Sequence, residues 1–198
     1  MPKSSASTVS RGKMIIIVAP SGTGKSTLIK KLLKDFPMLN WSVSHTTRKQ
    51  RAGEVDGKDY FFTDEVFFKK EIEKNYFIEW ALVHGNYYGT SKHFVDEGLA
   101  QGKFLLFDVD VQGADRLLKD YRDDATAIFI TPPSLEDLSI RLKKRGTDST
   151  EIIQKRLSNA QNELKRKNDY DRLVLNEDVE KAYEELKQIF KEIITTEH

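Results

Sequence analysis

The chain of 198 residues contains no cysteine. This absence excludes disulfide bonds, thiolate metal sites and cysteine nucleophiles, and it fits a reducing compartment. The chain also has no excess of either charge, because 32 Lys and Arg stand against 31 Asp and Glu, for a net charge of +1. A general attraction to nucleic acid or to an anionic membrane is therefore not expected, and any site for an anion must be local.

Long hydrophobic runs are absent as well. No apolar run approaches the roughly 18 residues of a membrane span. The apolar stretch 14–19 is shorter than the roughly 7–15 residues of a signal-peptide core, and Pro20 follows it. We therefore expect a flexible tail over residues 1–12 and a cytoplasmic protein after it.

Short apolar runs and helical patterns alternate along most of the chain. Buried strands are predicted at 14–19, 104–109, 127–130 and 173–175. Apolar residues at helical spacing follow Thr27 as far as Pro37, occupy 134–144, and recur in two later helices. Gly146 is expected to end helix 134–144, and Asp148 with Glu151 to cap the next helix. This alternation predicts an α/β fold, a parallel sheet with helices on both faces.

Residues 42–95 differ from the rest in composition. They are rich in aromatic residues, glycine and charge, and they contain no long apolar run. We interpret them as a small α+β subdomain inserted into the parallel-sheet domain.

The stretch APSGTGKS lies between the first strand and the first helix. It matches the last three positions of the phosphate-binding loop pattern G-x-x-x-x-G-K-[ST], with Ala19 at the first position. Glycines allow the backbone to curl around phosphates, and the helix start adds free N–H groups. Lys25 would reach the β- and γ-phosphates, and Ser26 would ligate Mg²⁺. An ordinary glycine-rich turn is the alternative interpretation.

Several later segments resemble those of guanylate kinases. They are SHTTRKQRAGEVDGKDYFF, FIEWALVHGNYYGTS, LLFDVDVQG, TPPSLEDLSIRLKKRGT and KRLSNAQNEL, and they follow the loop in this order. The resemblance covers about residues 14–190. It implies a P-loop core, an inserted GMP-binding subdomain and a helical lid, and transfer of the γ-phosphoryl group of MgATP to GMP.

The resemblance also implies roles for individual residues. The GMP phosphate would be held by Arg48, Arg51, Tyr60 and Tyr88, and the guanine read by Ser44, Glu79 and Thr90. ATP would lie on Ala19, Pro20, Ser21, Gly22, Thr23, Gly24, Lys25, Ser26 and Thr27, with Asn176 on the adenine side.

Two acids follow the strand FLLFD, at the edge of the sheet where ligands gather. The resemblance places Asp110 near GMP, and Asp108 would help to order Mg²⁺ together with Ser26. The alternative is that these acids only cap the end of the strand.

Arginines of the predicted lid form the last group. Arg141 and Arg145 are four apart and share a helix face. With Arg156 they resemble the family's arginines around the transferring phosphate, and we assign catalytic roles to these three, to Lys25 and to Arg48. A solvated helix face is the alternative for the lid arginines.

The sequence pattern indicates the core and the insert, and the resemblance adds the lid. The core is predicted at 13–41, 96–133 and 160–198, the GMP-binding insert at 42–95 and the lid at 134–159. Three other functions remain open: an inactive peptide-binding scaffold, a kinase for another phosphorylated acceptor, and an NTPase that uses water. The partners expected are the small molecules ATP and GMP, without nucleic acid or membrane, and the sequence gives no oligomeric state.

Overall fold

The structure, a computed structural model, describes residues 10–83, 85–144 and 149–195. The strands within these ranges are β1 (Lys13–Val18), β2 (Leu39–Trp41), β3 (His45–Thr46), β4 (Phe61–Phe62), β5 (Phe77–Val83), β6 (Asn86–Ser91), β7 (Phe104–Asp108), β8 (Ala125–Thr131) and β9 (Arg172–Leu175). The helices there are α1 (Lys25–Asp35), α2 (Glu65–Glu73), α3 (Lys92–Ala100), α4 (Val111–Tyr121), α5 (Leu135–Lys144), α6 (Thr150–Leu164) and α7 (Val179–Thr195). Short 3-10 turns occupy Arg122–Asp124 and Lys167–Asp169.

The larger sheet has five parallel strands in the order β2-β7-β1-β8-β9. Its central strand β1 is buried on both faces, which explains the unbroken apolar sequence of that strand. Ile15 and Ile17 face a core shared with α1 and α7, whereas Met14, Ile16 and Val18 face one shared with α3 and α4. The prediction of a parallel sheet covered by helices on both faces is confirmed.

The smaller sheet lies within residues 45–91 and has the order β4-β3-β6-β5. It is mixed, because β3 pairs parallel with β4 and antiparallel with β6, and β5 pairs antiparallel with β6. Phe68 of α2 packs on this sheet, with its ring 4.3 Å from that of Phe77 and 5.3 Å from that of Tyr87. A Cβ at Gly89 would lie 2.9 Å from the Phe68 ring, so glycine permits this packing.

The helices α5 and α6 pack on each other through a core of their own. It consists of Leu138, Leu142, Ile153 and Ala160, with Leu157 against it. Helix α5 lies in the segment predicted as the lid (134–159), whereas α6 continues five residues beyond it, to Leu164. Leu142 and Arg141 of α5 contact the phosphate-binding loop. Among the described helices, none combines the length and the apolar composition needed to cross a membrane.

Some local predictions need correction. The strand β2 was missed because it has only three residues, one of them Asn40, and lies at the sheet edge. The insert does contain a seven-residue strand, β5. The sequence did not reveal it because buried and less buried residues alternate along it, and one of the buried residues is the charged Glu79. Helix α6 is capped by Ser149, whose side chain accepts from the Ile152 N–H. The predicted cap Asp148 and stop Gly146 lie outside the described residues.

The chain is attached to the core before β1 begins. The Gly12 N–H donates to the Leu99 carbonyl at 2.8 Å, and Arg11 Nε donates to Asp124 at 2.6 Å. These two residues are the last of the tail predicted from the sequence, and residues 1–9 lie outside the described part.

Candidate active site

The loop between β1 and α1 owes its shape to two glycines. Gly22 and Gly24 have φ of 93° and 98°, values that residues with a Cβ rarely adopt. A Cβ at Gly22 would also lie 2.7 Å from Leu142 of α5. Ala19, which replaces the first glycine of the pattern, has a negative φ, so alanine fits that position without strain. Helix α1 begins at Lys25, as the sequence predicts.

The carbonyl of Thr23 anchors the loop to the rest of the core. It accepts from Asn176 Nδ2 at 2.6 Å and from Arg141 Nη1 at 3.2 Å. Asn176 is completely buried, and its backbone N–H donates to the Thr131 carbonyl at 2.8 Å. Arg141 in turn donates to the Asn176 carbonyl at 2.9 Å. Arg141 and Asn176 therefore hold the loop from the side of α5 and β9.

Lys25 lies between the loop and the end of β7. Its ammonium group forms an ion pair with Asp108 and donates to the Val109 carbonyl at 3.3 Å. Both side chains are mostly buried, with 18% and 22% of their surfaces exposed. The structure thus brings together the lysine of the loop and the acid predicted to help order Mg²⁺.

Asp110 caps a helix that the sequence did not predict. One oxygen of its carboxylate accepts from the Gly113 N–H at 2.9 Å, at the start of α4. The N–H group that Asp110 satisfies thus belongs to the following helix and not to the end of the strand. Asp110 also lines the cavity described below, so capping does not remove it from the site.

Three polar residues predicted to read guanine lie together on the smaller sheet. Thr90 Oγ1 donates to Glu79 Oε1 at 2.7 Å and is 3.3 Å from Ser44 Oγ. Glu79 has only 4% of its surface exposed. Burial raises the pKa of Glu79 to about 7, the Thr90 hydrogen bond opposes this shift, and the charge of Asp110 adds to it.

Helix α4 packs closely on the Glu79 carboxylate. A Cβ at Gly113 would lie 2.9 Å from Glu79 Oε2, so glycine leaves room for the carboxylate here. One turn later, the Arg116 guanidinium lies 4.8 Å from the centre of the Trp80 ring. The positive charge of Arg116 lowers the pKa of Glu79 and so favours the ionised carboxylate.

The residues predicted to hold the acceptor phosphate are partly assembled. The Arg48 guanidinium lies over the rings of Tyr60 and Phe62, at 5.3 and 5.8 Å from their centres. The Tyr60 and Tyr88 rings are 5.9 Å apart, and burial raises the pKa of Tyr60 to about 12. Arg51 is exposed, and its backbone N–H donates to Glu54 at 2.8 Å.

One cavity of about 540 Å³ connects the loop with the smaller sheet. The predicted site residues that line it are Ala19, Pro20, Ser21, Gly22, Gly24, Lys25, Ser26, Thr27, Ser44, Tyr60, Glu79, Tyr88, Asp108, Asp110 and Arg141. The predicted residues outside its lining are Thr23, Arg48, Arg51, Thr90, Arg156 and Asn176. Arg145 lies outside the described residues. Arg156 lies half-buried on α6.

Besides Arg116, two further charged residues of this region were missed. Glu163 of α6 lines the cavity, and burial raises its pKa to about 7 while Lys25 opposes the shift. Glu54 contacts Arg48 at 2.7 Å. A glutamate in a charged helix or loop reads as a solvated surface residue, so only the fold reveals these contacts.

A sequence model of the guanylate kinase family matches residues 11–193. The chain belongs to the guanylate kinase family. A guanylate kinase of Maricaulis maris (strain MCS10) is 48% identical over 179 residues, which span 90% of this chain and 82% of that one. One of Helicobacter pylori (strain ATCC 700392 / 26695) is 48% identical over 181 residues, which span 91% and 87%. The predicted family and enzyme class are therefore confirmed.

A solved structure supports the fold assignment to the guanylate kinase family. The crystal structure of guanylate kinase from Anaplasma phagocytophilum superposes with a TM-score of 0.73 at 31% identity. The alignment covers 92% of this chain and 86% of that one. The likeness thus extends over both sheets and not only over the loop.

Proposed function

We propose that the two ends of the cavity bind the two substrates of one phosphoryl transfer. The enzyme transfers the γ-phosphoryl group of ATP to GMP and gives ADP and GDP. ATP binds on the loop 19–27, and GMP binds against the smaller sheet. The observation that carries this assignment is that Lys25 and Glu79 line the same cavity.

At the donor end, backbone N–H groups of the loop and of the α1 start bind the phosphates of ATP. Lys25 adds a positive charge next to the β- and γ-phosphates, and it can exchange its contact with Asp108 for one with phosphate. Asn176 lies on the adenine side, where it also supports the loop through Thr23. A loop that is already braced loses little conformational freedom when ATP binds.

At the acceptor end, Arg48 and Arg51 bind the GMP phosphate, assisted by the hydroxyls of Tyr60 and Tyr88. The planar guanidinium group pairs well with two phosphate oxygens. Two positive charges also reduce the repulsion between the acceptor anion and the incoming phosphoryl group. No general base is assigned, because the attacking group is already a phosphate oxyanion.

Guanine is recognised by Glu79 with Ser44 and Thr90. An ionised carboxylate only accepts hydrogen bonds, and guanine presents two adjacent donors, N1–H and the 2-amino group. Adenine has no donor at N1 and no 2-amino group, so AMP would leave the buried carboxylate unpaired. Unpaired buried polar groups give stronger discrimination than a poor apolar fit.

The residues at the donor end fit a Mg²⁺ ion that enters with ATP. Mg²⁺ prefers oxygen ligands and keeps several waters, so it needs few protein ligands beside phosphates. Ser26 and Asp108 supply a hydroxyl and a carboxylate to the same cavity. Among the described residues no three His, Cys, Asp or Glu side chains form a metal site, so phosphates and water would supply most of the ligands. When bound, Mg²⁺ neutralises charge on the transferring phosphates.

The arginines predicted for the lid act when this segment closes over ATP. Arg141, Arg145 and Arg156 would stabilise charge on the transferring group. Arg141 already touches the loop through Thr23, so a small movement of α5 suffices to bring it to the phosphates. Closure would also exclude water, which otherwise would hydrolyse ATP.

ATP and GMP are the partners that this proposal requires, without nucleic acid or membrane. The net charge of +1 gives the protein no general attraction to nucleic acid or to an anionic membrane surface. We propose a cytoplasmic location, because a chain without cysteine needs no oxidising compartment.

A coupled assay with ATP and a panel of GMP, AMP, CMP and UMP tests the proposed function. We expect GMP to be phosphorylated with a kcat/KM at least roughly 10²-fold above that of the other acceptors. Equal rates for two acceptors would contradict the assignment of the guanine site. ATP hydrolysis without any acceptor would indicate instead an enzyme that uses water.

A further inference from the structure

Glu54 connects the two arginines that the proposed function assigns to the acceptor phosphate. Its Oε1 accepts from Arg48 Nη2 at 2.7 Å, and its Oε2 accepts from the Arg51 N–H at 2.8 Å. The two side chains of the ion pair are 12% and 20% exposed. The Arg48 hydrogen bond is the first cause that lowers the pKa of Glu54, so the carboxylate is ionised at neutral pH.

The surrounding contacts fix the whole segment around this carboxylate. The Glu54 N–H donates to the Arg51 carbonyl at 3.2 Å, and Gln50 Nε2 donates to the Glu54 carbonyl at 2.6 Å. Arg48 Nη1 donates to the Lys49 carbonyl at 2.7 Å. Most of the hydrogen bonds within segment 48–54 thus involve Glu54.

The geometry leaves Arg48 able to bind an anion without giving up Glu54. A guanidinium group has five N–H donors, and the contacts with Glu54 and Lys49 use two of them. Its flat face lies on the rings of Tyr60 and Phe62, which limits its rotation. The Tyr88 side chain is a further hydrogen-bond partner of Arg48. Tyr60 and Tyr88 both line the cavity, so Arg48 contacts the cavity wall through these two residues.

We propose that Glu54 is a positioning residue for the acceptor phosphate. It holds the Arg48 guanidinium in the orientation that meets the phosphate and fixes the backbone that carries Arg51, without touching GMP itself. Long arginine side chains lose much rotational freedom when a ligand orders them, and an internal carboxylate that orders them beforehand removes this cost from binding. The inference rests on the proposed function of Arg48 and Arg51.

The opposite effect is physically possible and defines the test. A carboxylate beside Arg48 could compete with phosphate for the same donors, and its charge would repel the phosphate dianion. Removing that charge would then improve GMP binding. Positioning and competition therefore predict KM changes of opposite sign for the same substitution.

The experiment compares Glu54→Gln with the unmodified enzyme in steady-state kinetics. We expect the KM for GMP to rise roughly tenfold, while kcat and the KM for ATP change less than about twofold. We expect the inhibition constant of guanosine, which lacks the phosphate, to stay unchanged. Glu73→Gln on the exposed side of α2 is the matched control and should change none of these values.

A double-mutant cycle with Arg48→Ala shows whether Glu54 acts through Arg48. In the Arg48→Ala background, Glu54→Gln should add less than about a twofold rise in KM. A lower or unchanged KM in the single variant, or an equal rise in both backgrounds, would overturn the positioning role. If Arg48→Ala alone leaves the KM for GMP unchanged, Arg48 does not bind the GMP phosphate, and the inference about Glu54 is then wrong as well.

The same series includes a control for correct folding. The melting temperature of each variant is measured, and Glu54→Asp is the second variant should Glu54→Gln not fold. Aspartate keeps the charge but moves it by one methylene, so a positioning role predicts a rise in the KM for GMP here also. A competing carboxylate predicts no rise, because the shorter side chain withdraws the charge from Arg48.

Discussion

The two sheets of the molecule bury different kinds of side chain. The five-stranded sheet is centred on Ile15, Ile16 and Ile17, which are all completely buried. The four-stranded sheet has a stacked aromatic side around Phe68 and buries the polar residues Thr46, Glu79 and Thr90. Buried polar groups cost free energy unless they are paired, so they are kept where they serve a ligand or the backbone.

This difference separates two tasks. The five-stranded sheet is an apolar frame that presents one loop, and in the proposed function that loop acts through its backbone N–H groups and Lys25. The four-stranded sheet carries Glu79 and Thr90, the residues proposed to recognise guanine, within its strands. Substitutions at the loop should therefore change the chemical step, whereas those on the smaller sheet should change the choice and affinity of the acceptor.

The largest effect is expected for Lys25→Ala. Loss of the charge beside the transferring phosphates should lower kcat by roughly 10²–10³-fold, as for other preorganised charge-stabilising groups. Lys30→Ala on the exposed side of α1 is the matched control. Near-normal turnover of Lys25→Ala with an unchanged melting temperature would contradict the role proposed for Lys25 at the phosphates of ATP.

Glu79→Gln tests the guanine site proposed on the smaller sheet. The substitution keeps the size but turns one acceptor into a donor that faces a guanine donor, so kcat/KM for GMP should fall by roughly 10²-fold, about 3 kcal/mol. The KM for ATP should hardly change. Unchanged GMP kinetics with a lower melting temperature would instead make Glu79 a structural residue of the smaller sheet.

The helices α5 and α6 belong to neither sheet, and the arginines predicted for the lid sharpen the comparison. Alanine at Arg141, Arg145 or Arg156 should lower kcat by roughly 10–10²-fold and leave the KM for GMP within about twofold. Rates at saturating GMP and ATP give kcat, and a titration with GMP at saturating ATP gives the KM for GMP. Weaker GMP binding alone would place these arginines at the acceptor site.

The pH dependence of GMP binding should reflect the raised pKa of Glu79, about 7. Protonation removes an acceptor, so the KM for GMP should rise toward tenfold per pH unit below 7. Stability should follow the opposite trend: because the folded state raises this pKa, the contribution of Glu79 is full below its unfolded pKa of roughly 4.3 and is lost as pH rises through 7. Glu79→Gln is the control, since it shares the titration of the GMP phosphate but lacks that of the carboxyl.

The smallest effect is expected for Arg116→Met. Removing the positive charge near Glu79 should raise the pKa of that carboxyl further and shift the pH profile of the KM for GMP toward higher pH. At pH 9 the variant and the unmodified enzyme should have the same KM within about twofold. An unshifted profile would show that Arg116 serves the Trp80 ring and not the charge of Glu79.

Four of the five strands of the larger sheet could be predicted from the sequence because each contains an unbroken apolar run; the fifth, β2, does not and was missed. Even so, α4 was missed, although Ala114, Leu117 and Leu118 have helical spacing and Asp110 is a good N-cap. That signal was present and overlooked. The strands β3 and β4 have two residues each and carry no pattern of their own, so pairing across the fold alone defines them.

Motif resemblance located much of the candidate site. The geometry brings Ser44, Glu79 and Thr90 together, although they come from separate parts of the chain. The charged neighbours Glu54, Arg116 and Glu163 could not be located from the sequence. Their effects arise from distances to other side chains, and a single sequence holds no record of those distances.

The strand order of the larger sheet has a consequence for the order of events during synthesis. Strand β1 leaves the ribosome first, but its two neighbours are β7, in which Phe104 pairs with Lys13, and β8, in which Ala125 pairs with Met14. Its apolar residues therefore stay without a partner strand while about ninety further residues are made, which takes about 5–20 s at usual translation rates. The whole smaller sheet emerges within that interval and can pair locally. The nascent chain therefore exposes the unpaired apolar strand β1 during this time, and exposed apolar strands are prone to aggregation.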